Sequence, residues 1–328
     1  MRALLDGDIL LYEIGFSSQQ VVDGEVVPNS WEFCADLLDG RIAFINDEVE
    51  ATEPPLLFLT NTRRINKILN KQRKREEAAP KEYVENFRVA AAEEKDYKGG
   101  RKAEKPYHFY NLLVYMLSKY DVHIDENGLE ADDAICVHQT KRLKEGFKDT
   151  IICSRDKDLR QCEGFHYSWE VGRQASIGPI YVEPMGWLEH KNVGERDAKG
   201  KLKPAKIFGT GHKFFYYQML VGDAVDNIGG IKGKGPVFGY ELIKDITTER
   251  EGYELVAEKY VQAWGDLWKE KMKEQALLLW MVREIDENGD KVFWRPPRRL
   301  TEKVSGSLAT PTSSTTTSSD IPIDHSPP

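Results

Sequence analysis

The chain has 328 residues, of which 40% are hydrophobic and 30% charged, and its formal net charge is −8. This composition predicts a soluble globular protein of one large domain or two modest ones. It excludes a membrane-spanning class, because no run approaches the roughly 18 consecutive apolar residues of a membrane helix. The first residues lack the pattern of a secretion signal, so a cytoplasmic location is the expectation. The cysteines have neither zinc-ligand nor redox spacing, which favours buried thiols.

The N-terminal part of the chain predicts alternating strands and helices. A short apolar strand at 3–5 ends at Asp6 and Asp8, residues 31–49 have the apolar spacing of an amphipathic helix, and 56–59 form a second buried strand. The strand–helix–strand order predicts a parallel sheet. Carboxylates at the C-terminal ends of such strands lie where α/β folds place ligand sites.

Residues 62–105 differ in character from the rest of the chain. They contain fourteen Lys or Arg against eight Asp or Glu, although the whole protein is acidic. Such a charge run is usually a solvated helical face. Here the excess is one-sided and includes Tyr83 and Tyr97, aromatic residues that suit stacking on bases. Lysines and arginines beside the flexible Gly99-Gly100 pair suit contact with phosphate, so this stretch favours DNA binding despite the negative net charge.

An acidic group precedes the next strongly apolar helix. Residues 107–117 predict a helix and 120–124 a strand, after which Glu130, Asp132 and Asp133 stand before a helix at about 132–143. One interpretation is an acidic first turn that complements the helix dipole. The other is a metal site, because carboxylates this close repel one another unless a cation offsets them.

A third buried strand, at 150–153, is followed directly by Asp156 and Asp158. If the chain stays extended there, the two carboxylates project to the same side and could share one ion; the alternative is a solvated turn. Short alternating runs at 166–169 and 179–182 predict edge strands or a hairpin, and residues 189–206 predict a loop.

The C-terminal part begins with a helix at 214–220, followed by Asp223, Asp226 and a glycine-rich turn at 229–235. Such a turn between two short helices presents N–H groups to phosphate, although the nucleotide-binding Gly-x-x-x-x-Gly-Lys-Ser/Thr pattern is absent. Residues 253–284 predict a long helical region and 292–296 a last short strand. Residues 301–328 contain thirteen Ser or Thr and four Pro, which predicts disorder. The acidic groups, distant in sequence, together predict one metal site.

These motifs resemble, in content and in order, the 5′-nuclease (flap endonuclease-like) family, and most closely the 5′→3′ exonucleases of podophages. They read Leu-Asp-Gly-Asp, Tyr-Lys-Gly-Gly-Arg-Lys, Leu-Glu-Ala-Asp-Asp, Arg-Asp-Lys-Asp-Leu and Gly-Asp-x-x-Asp-Asn-Ile-x-Gly-Ile-x-Gly-x-Gly-Pro. The resemblance implies an α/β, PIN-like domain at 1–205 with a central mainly parallel sheet and a helical arch at about 62–106. It implies a helix–three-turn–helix DNA-binding region at 206–298, and the tail would occupy 299–328.

The resemblance also implies the functional residues. Two Mg²⁺ or Mn²⁺ ions would be bound by Asp6, Glu130, Asp132, Asp133, Asp156, Asp158, Asp223 and Asp226. Lys98 and Arg101 would be catalytic, and Tyr97, Lys102, Gly229, Gly230, Lys232, Gly233, Lys234 and Gly235 would contact DNA, with K⁺ at the glycine-rich turn. The family usually has aspartate where Asn61 stands, so Asn61 would be a weak metal ligand without charge.

The implied activity is 5′→3′ hydrolysis of duplex DNA by a two-ion mechanism, with flap endonuclease and RNase H-type activity, in phage DNA replication and degradation. Asp6, Glu130 and Asp132 would form the tighter ion position and Asp156, Asp158 and Asp226 the second, with Asp8 as a helix cap or an indirect neighbour. One alternative is a flap endonuclease or an RNase H as the main role. A distant alternative is a non-catalytic protein that binds branched DNA. The partner is DNA, and no membrane association is expected.

Overall fold

The computed structural model describes residues 1–99, 104–172, 174–192, 195–196, 199–201, 203 and 205–297. Residues 1–296 form one compact unit. The predicted site residues Arg101 and Lys102 lie outside the described residues, as does the tail that the sequence predicts to be disordered at 299–328.

The structure confirms the predicted α/β class. The described strands are β1 (Arg2–Asp6), β2 (Gln19–Val22), β3 (Glu25–Pro28), β4 (Leu56–Phe58), β5 (Asp121–His123), β6 (Thr150–Cys153), β7 (Gly164–Ser168), β8 (Ile177–Val182), β9 (Leu188–Lys191), β10 (Lys206–Gly209), β11 (Gly222–Asp223) and β12 (Ile228–Gly229). The described helices are α1 (Gly7–Ser17), α2 (Trp31–Glu48), α3 (Arg63–Arg75), α4 (Phe87–Ala91), α5 (Phe109–Lys119), α6 (Ala131–Lys144), α7 (Gly211–Val221), α8 (Pro236–Ile243), α9 (Glu249–Trp264) and α10 (Trp268–Leu279).

A six-stranded sheet in the order β5-β4-β1-β6-β7-β8 forms the centre of the fold. All neighbouring strands are parallel except β8, which pairs antiparallel with β7 as the predicted hairpin. In the register of the central strands, Leu5 pairs with Leu57 on one side and with Cys153 on the other. The C-terminal ends of β1, β4 and β6 therefore meet at one edge, where a parallel sheet places its ligand site.

Alternating side chains of β1 supply both faces of this sheet. Ala3 and Leu5 pack into a core with residues of α1, α2 and α5. Leu4 points to the opposite face and packs with Phe58 and the apolar side of α6, including Ile135. Because side chains alternate along a strand, a fully apolar strand must be covered by helices on both sides. Helices on both faces hold the strand ends in fixed positions.

The C-terminal helices share a separate apolar core. Its fully buried members include Phe215 and Tyr216 of α7 and Tyr260 of α9. The helical region predicted at 253–284 is divided into two helices, because the chain breaks at Gly265, whose φ of 54° does not fit the interior of a helix. The glycine separates α9 from α10.

Three other differences from the sequence-based predictions concern strands. The ends of the predicted loop at 189–206 instead belong to the antiparallel pair β9–β10. The strand predicted at 292–296 does not form, and only an isolated bridge joins Ile285 to Lys291 nearby. The exposed hairpin β2–β3 was not predicted. These pairings depend on partners distant from the local apolar pattern, so periodicity does not reveal them.

Two predictions about organisation are not decided by the fold. The predicted arch region contains α3 and α4, and the predicted domain boundary at 205/206 falls inside the β9–β10 hairpin. Both the arch and the domain bounds stay predictions. Among the described residues, none of the helices combines the length and the apolarity needed to cross a membrane.

Candidate metal centre

A cavity of about 590 Å³ opens at the edge of the sheet where β1, β4 and β6 end. Its walls include acidic residues from three of the four predicted groups, together with one predicted catalytic residue: Asp6, Asp8, Glu130, Asp132, Asp156 and Lys98. Residues separated by 150 positions in the sequence therefore share one cleft, as the sequence analysis predicts for a metal site.

Asp6 lies at the junction of β1 and α1. Its Oδ1 accepts the backbone N–H of Ile9 at 3.2 Å and so caps α1, and its Oδ2 accepts the hydroxyl of Ser154 at 2.8 Å. Burial, reinforced by the neighbouring Asp8, raises the pKa of Asp6 to about 7. The cap is thus Asp6 and not Asp8, whose carboxylate instead accepts the N–H of Thr60 at 3.3 Å from each oxygen.

Glu130 and Asp132 stand at the start of α6. Their carboxylates and that of Asp133 offer ligand atoms within 4.8 Å of one another. Burial and the nearby Glu130 raise the pKa of Asp132 well above its ordinary value. Burial opposes ionisation of Glu130 as well, but Lys98 and Arg88 outweigh it and lower the pKa of Glu130. Asp132 is therefore a half-buried carboxylate that a further cation would stabilise.

Asp133 differs from its two acidic neighbours in its contacts. Its side chain is completely buried, and its two oxygens accept Nη1 and Nη2 of Arg88 at 2.6 and 2.8 Å. Oδ1 also accepts the backbone N–H of Val282 at 2.9 Å. With donors on both oxygens, Asp133 is a partner of Arg88, and its role as a metal ligand stays a prediction. Sequence reasoning missed Arg88, although a lone arginine beside the apolar run 89–92 is a signal of a buried ion pair.

Lys98 and Tyr97 approach the site from the basic stretch. Lys98 Nζ donates to Glu130 Oε1 at 2.7 Å, and the Tyr97 hydroxyl donates to Glu130 Oε2 at 2.9 Å. The same hydroxyl is 3.5 Å from Asp226 Oδ2, and the backbone N–H of Lys98 donates to the carbonyl of Asp226 at 3.0 Å. Lys98 thus lies beside Glu130 and lines the cavity, and its catalytic role stays a prediction. Tyr97 contacts Glu130 instead of presenting the exposed stacking surface that the sequence predicts.

A second acidic group follows β6. The chain does not stay extended there, because the N–H of Asp158 donates to Asp156 Oδ1 at 2.9 Å and a 3₁₀ helix begins at Asp158. Asp158 Oδ1 accepts Gln218 Nε2 at 2.7 Å and Lys157 Nζ at 3.0 Å, and Lys157 Nζ also donates to Asp223. Burial, reinforced by Asp156, raises the pKa of Asp158 to about 7.

The partition of the predicted ligands changes accordingly. Asp223, which is buried, stands with Asp158, whereas Asp226 lies beside Tyr97 and Lys98. Asp223 therefore lies with Asp158, next to Asp156, and the prediction that Asp226 binds the second ion stays a prediction. Sequence reasoning did not single out Lys157 or Gln218, which lie among these carboxylates.

Asn61 provides an observation on whether the residues suit a metal ion. It follows β4, is 6% exposed, and neither its Oδ1 nor its Nδ2 has a hydrogen-bond partner among the described residues. An unpartnered buried amide costs free energy unless another group meets it. The cavity lining supplies carboxylate oxygens from Asp6, Glu130, Asp132 and Asp156, a donor set of the kind that Mg²⁺ and Mn²⁺ prefer, although Asn61 is not among the lining residues. The residues present fit such ions.

The glycine-rich turn joins α7 to α8 through the β11–β12 pair. A Cβ on Gly230 would lie 2.2 Å from the carbonyl carbon of Val221, so only glycine fits there. Lys232, Gly233 and Gly235 are exposed, and Lys234 Nζ lies 4.4 Å from the centre of the Phe238 ring. DNA contact by these residues and by Gly229, and K⁺ binding at the turn, stay predictions.

Comparison with known proteins gives partial matches. No family model matches the chain. DNA polymerase I of Bacillus subtilis (strain 168) is 29% identical over 194 residues, which are 56% of this chain and 19% of that protein. DNA polymerase I of Bacillus caldotenax is 28% identical over 191 residues, 57% of this chain and 19% of that protein. The chain therefore spans about a fifth of the length of the curated relatives that it matches.

Similar solved structures include the T5 D15 protein co-crystallised with metal ions, with 13% identity, a TM-score of 0.49, and coverage of 84% of this chain and 88% of that chain. They also include the T5 5′-exonuclease with bound zinc, with 14% identity, a TM-score of 0.49, and coverage of 84% and 86%. Over about half its length, the chain is therefore similar in sequence to part of DNA polymerase I.

Proposed function

We propose that this chain is a divalent-metal-dependent 5′-nuclease that hydrolyses phosphodiester bonds of DNA from the 5′ end. The observation that carries the proposal is the convergence of Asp6, Glu130, Asp132 and Asp156 on one cavity, with Lys98 beside them. A purely structural acidic cluster would be neutralised by its own basic residues, yet Asp6 and Asp132 form no ion pair among the described residues. The similarity to DNA polymerase I supports DNA as the substrate.

Two groups of carboxylates would hold the ions. Asp6, Glu130 and Asp132 would bind one ion, and Asp156, Asp158 and Asp223 the other. Asn61 would contribute a neutral oxygen to the first group. When bound, such a pair of ions activates water and stabilises the charge on the leaving oxygen. Ser154 and Gln218 hold two of these carboxylates in place by donating to Asp6 and Asp158. The N–H of Thr60 holds the neighbouring Asp8 in the same way.

Lys98 is the proposed electrostatic residue. Its ammonium lies 2.7 Å from Glu130 and lines the cavity, so it can attract a phosphate toward the carboxylates and offset the charge that develops during cleavage. The pKa of Lys98 is raised: burial disfavours the charge, but Glu130, Asp132 and Asp226 together more than compensate. Lys98 is therefore a permanent cation and not a general base. Arg101 is proposed to share this role.

DNA binding is assigned to two basic or glycine-rich segments. The turn at 229–235 would contact the duplex backbone, and the stretch 62–105 would hold the single-stranded 5′ end. Phosphate contacts position a protein without reading sequence, so we expect cleavage without base specificity and a steep loss of binding with salt. We further propose a cytoplasmic location; a role in phage DNA replication and degradation stays a prediction from the motif resemblance.

The test is cleavage of a 5′-labelled duplex, a 5′ flap and an RNA–DNA hybrid in Mg²⁺, in Mn²⁺ and in chelator. We expect short 5′-labelled products that require the metal, and the relative rates identify the preferred substrate. The variant Asp156→Ala/Asp158→Ala should lose cleavage and keep DNA binding. Asp286→Ala/Asp290→Ala is the matched control, because these two aspartates are exposed on another turn. Full cleavage by the first variant would refute the proposal. DNA binding without cleavage in either metal would instead identify a branched-DNA-binding protein.

A further inference from the structure

Lys157 lies between two carboxylates of the second acidic group. Its Nζ is 3.0 Å from Asp158 Oδ1 and also donates to Asp223 Oδ2. The side chains of Asp158 and Asp223 are only 15% and 5% exposed, whereas that of Lys157 is 42% exposed. The ammonium thus reaches from solvent into a buried acidic pair, and it bridges the same oxygens that would bind an ion.

We propose that Lys157 is an internal cation that occupies the second ion position between Asp158 and Asp223 and withdraws when a divalent ion binds there. This inference rests on the proposed function, because it concerns how that metal centre is filled. It gives the two ion positions unequal affinities: the ion at the second position must displace an ammonium that bridges two of its carboxylates, whereas at the first position the Lys98 ammonium pairs with Glu130 and leaves Asp6 and Asp132 without an ion pair among the described residues.

Electrostatics explain why the bridge forms. Two buried carboxylates that share a site repel each other, and a positive charge between them removes the repulsion. Gln218 also donates to Asp158, at 2.7 Å, and its own amide oxygen accepts Gln161 Nε2 at 2.7 Å. That bond fixes which end of the Gln218 amide faces the carboxylate. Gln218 therefore provides a fixed neutral donor, and Lys157 provides the mobile charge.

The shape of the lysine side chain permits the withdrawal. Lysine carries a compact charge on a flexible stem with several rotatable bonds, and its head is readily hydrated. Since this side chain is already partly in water, moving the ammonium outward requires no rearrangement of the core. The carboxylates would stay close together because Gln218 remains, which prepares the position for the ion.

The experiment is a calorimetric titration of the full chain with Mn²⁺, comparing the wild type with Lys157→Met. We expect two unequal binding steps in the wild type. In the variant, the weaker step should tighten about tenfold, or about 1.4 kcal/mol, and the tighter step should stay unchanged. Without metal, the variant should melt at a lower temperature than the wild type, because its buried carboxylates have lost their cation. Saturating Mn²⁺ should remove that difference.

The control is Lys119→Met, because Lys119 of α5 is a similarly exposed lysine (44%) that pairs with Asp39 of α2, and neither residue lines the cavity. It should leave both binding steps unchanged. Lys157→Gln provides a second variant if Lys157→Met does not fold. An unchanged or weakened second step in the folded variants would overturn the inference and leave the proposed function intact. A wild type that binds no Mn²⁺ would overturn both.

Discussion

Replacement of Arg88 by methionine tests the buried ion-pair network beneath the metal centre. The guanidinium is completely buried and contacts two carboxylates, Asp133 at 2.6 and 2.8 Å and Glu130 at 3.3 Å. It also donates to the carbonyls of Leu278 at 3.1 Å and Trp280 at 2.7 Å. One side chain therefore joins α4 to the start of α6 and to the end of α10. Methionine keeps much of the stem volume and removes every donor.

The expected loss follows from what remains in the interior. Without Arg88, Asp133 keeps only the Val282 N–H as a donor and is a buried charge without a counter-ion. Breaking a buried pair by removing one partner costs about 3–5 kcal/mol. Because a typical domain is stable by only about 5–15 kcal/mol, this is a large fraction of the total. We expect Arg88→Met to lower the free energy of unfolding by that amount.

Urea denaturation followed by circular dichroism measures the loss. The double variant Arg88→Met/Asp133→Leu should regain more than half of it, because an apolar pair leaves no unpaired charge in the core. Arg2→Met is the control: the Arg2–Asp121 pair is partly exposed, and its removal should cost about 1 kcal/mol or less. A loss below 1 kcal/mol for Arg88→Met, or a double variant no more stable than the single one, would refute this reasoning.

Three further outcomes can be checked. Gly230→Ala should lower the free energy of unfolding by about 1–3 kcal/mol in urea, because its Cβ would overlap the backbone, whereas Gly235→Ala, with no atom within 4 Å of its Cβ, should be nearly neutral. Burial lowers the pKa of His166 to about 4, so the stability contributed by its neutral ring is complete above pH 6.5. The free energy of unfolding should decrease by about 3 kcal/mol as the pH falls toward 4. His166→Gln should flatten that part of the pH–stability curve, and an unaltered slope would contradict the assignment. Lys98→Met should slow cleavage about 100-fold and weaken duplex binding far less in a filter-binding assay; equal losses would make Lys98 a simple anchor.

The central sheet was predictable because its strands carry their own signal. The run Thr150–Cys153 is fully apolar apart from its first residue, and a polar segment follows it, which only a strand buried on both faces explains. The acidic residues at the ends of β1 and β6 were then placed by topology alone, since parallel strands end at one edge. This is why Asp6 and Asp156 could be assigned to the same cleft from the sequence.

What could not be predicted depends on side chains that meet across the fold. Nothing local distinguishes Asp133, which faces Arg88, from Asp132, which faces the cavity, because the two are adjacent and differ only in their direction from the helix. The different surroundings of Asp223 and Asp226 have the same origin. In the turn after α7, Asp223 pairs with Lys157, whereas Asp226 lies beside Tyr97 and Lys98. The spacing of acidic residues along the sequence identifies the acidic groups, but only the packed structure shows which side chain each carboxylate contacts.

The distance along the chain between Asp6 and Asp223 has a consequence for synthesis. The first carboxylate leaves the ribosome early, but the second group lacks Asp223 until about two-thirds of the protein has been translated. Loop closure over so many residues is also slow compared with local folding. Products of premature termination before α7 would therefore carry an incomplete centre. The proposed second group of carboxylates can therefore assemble only after α7 and Asp223 have been translated.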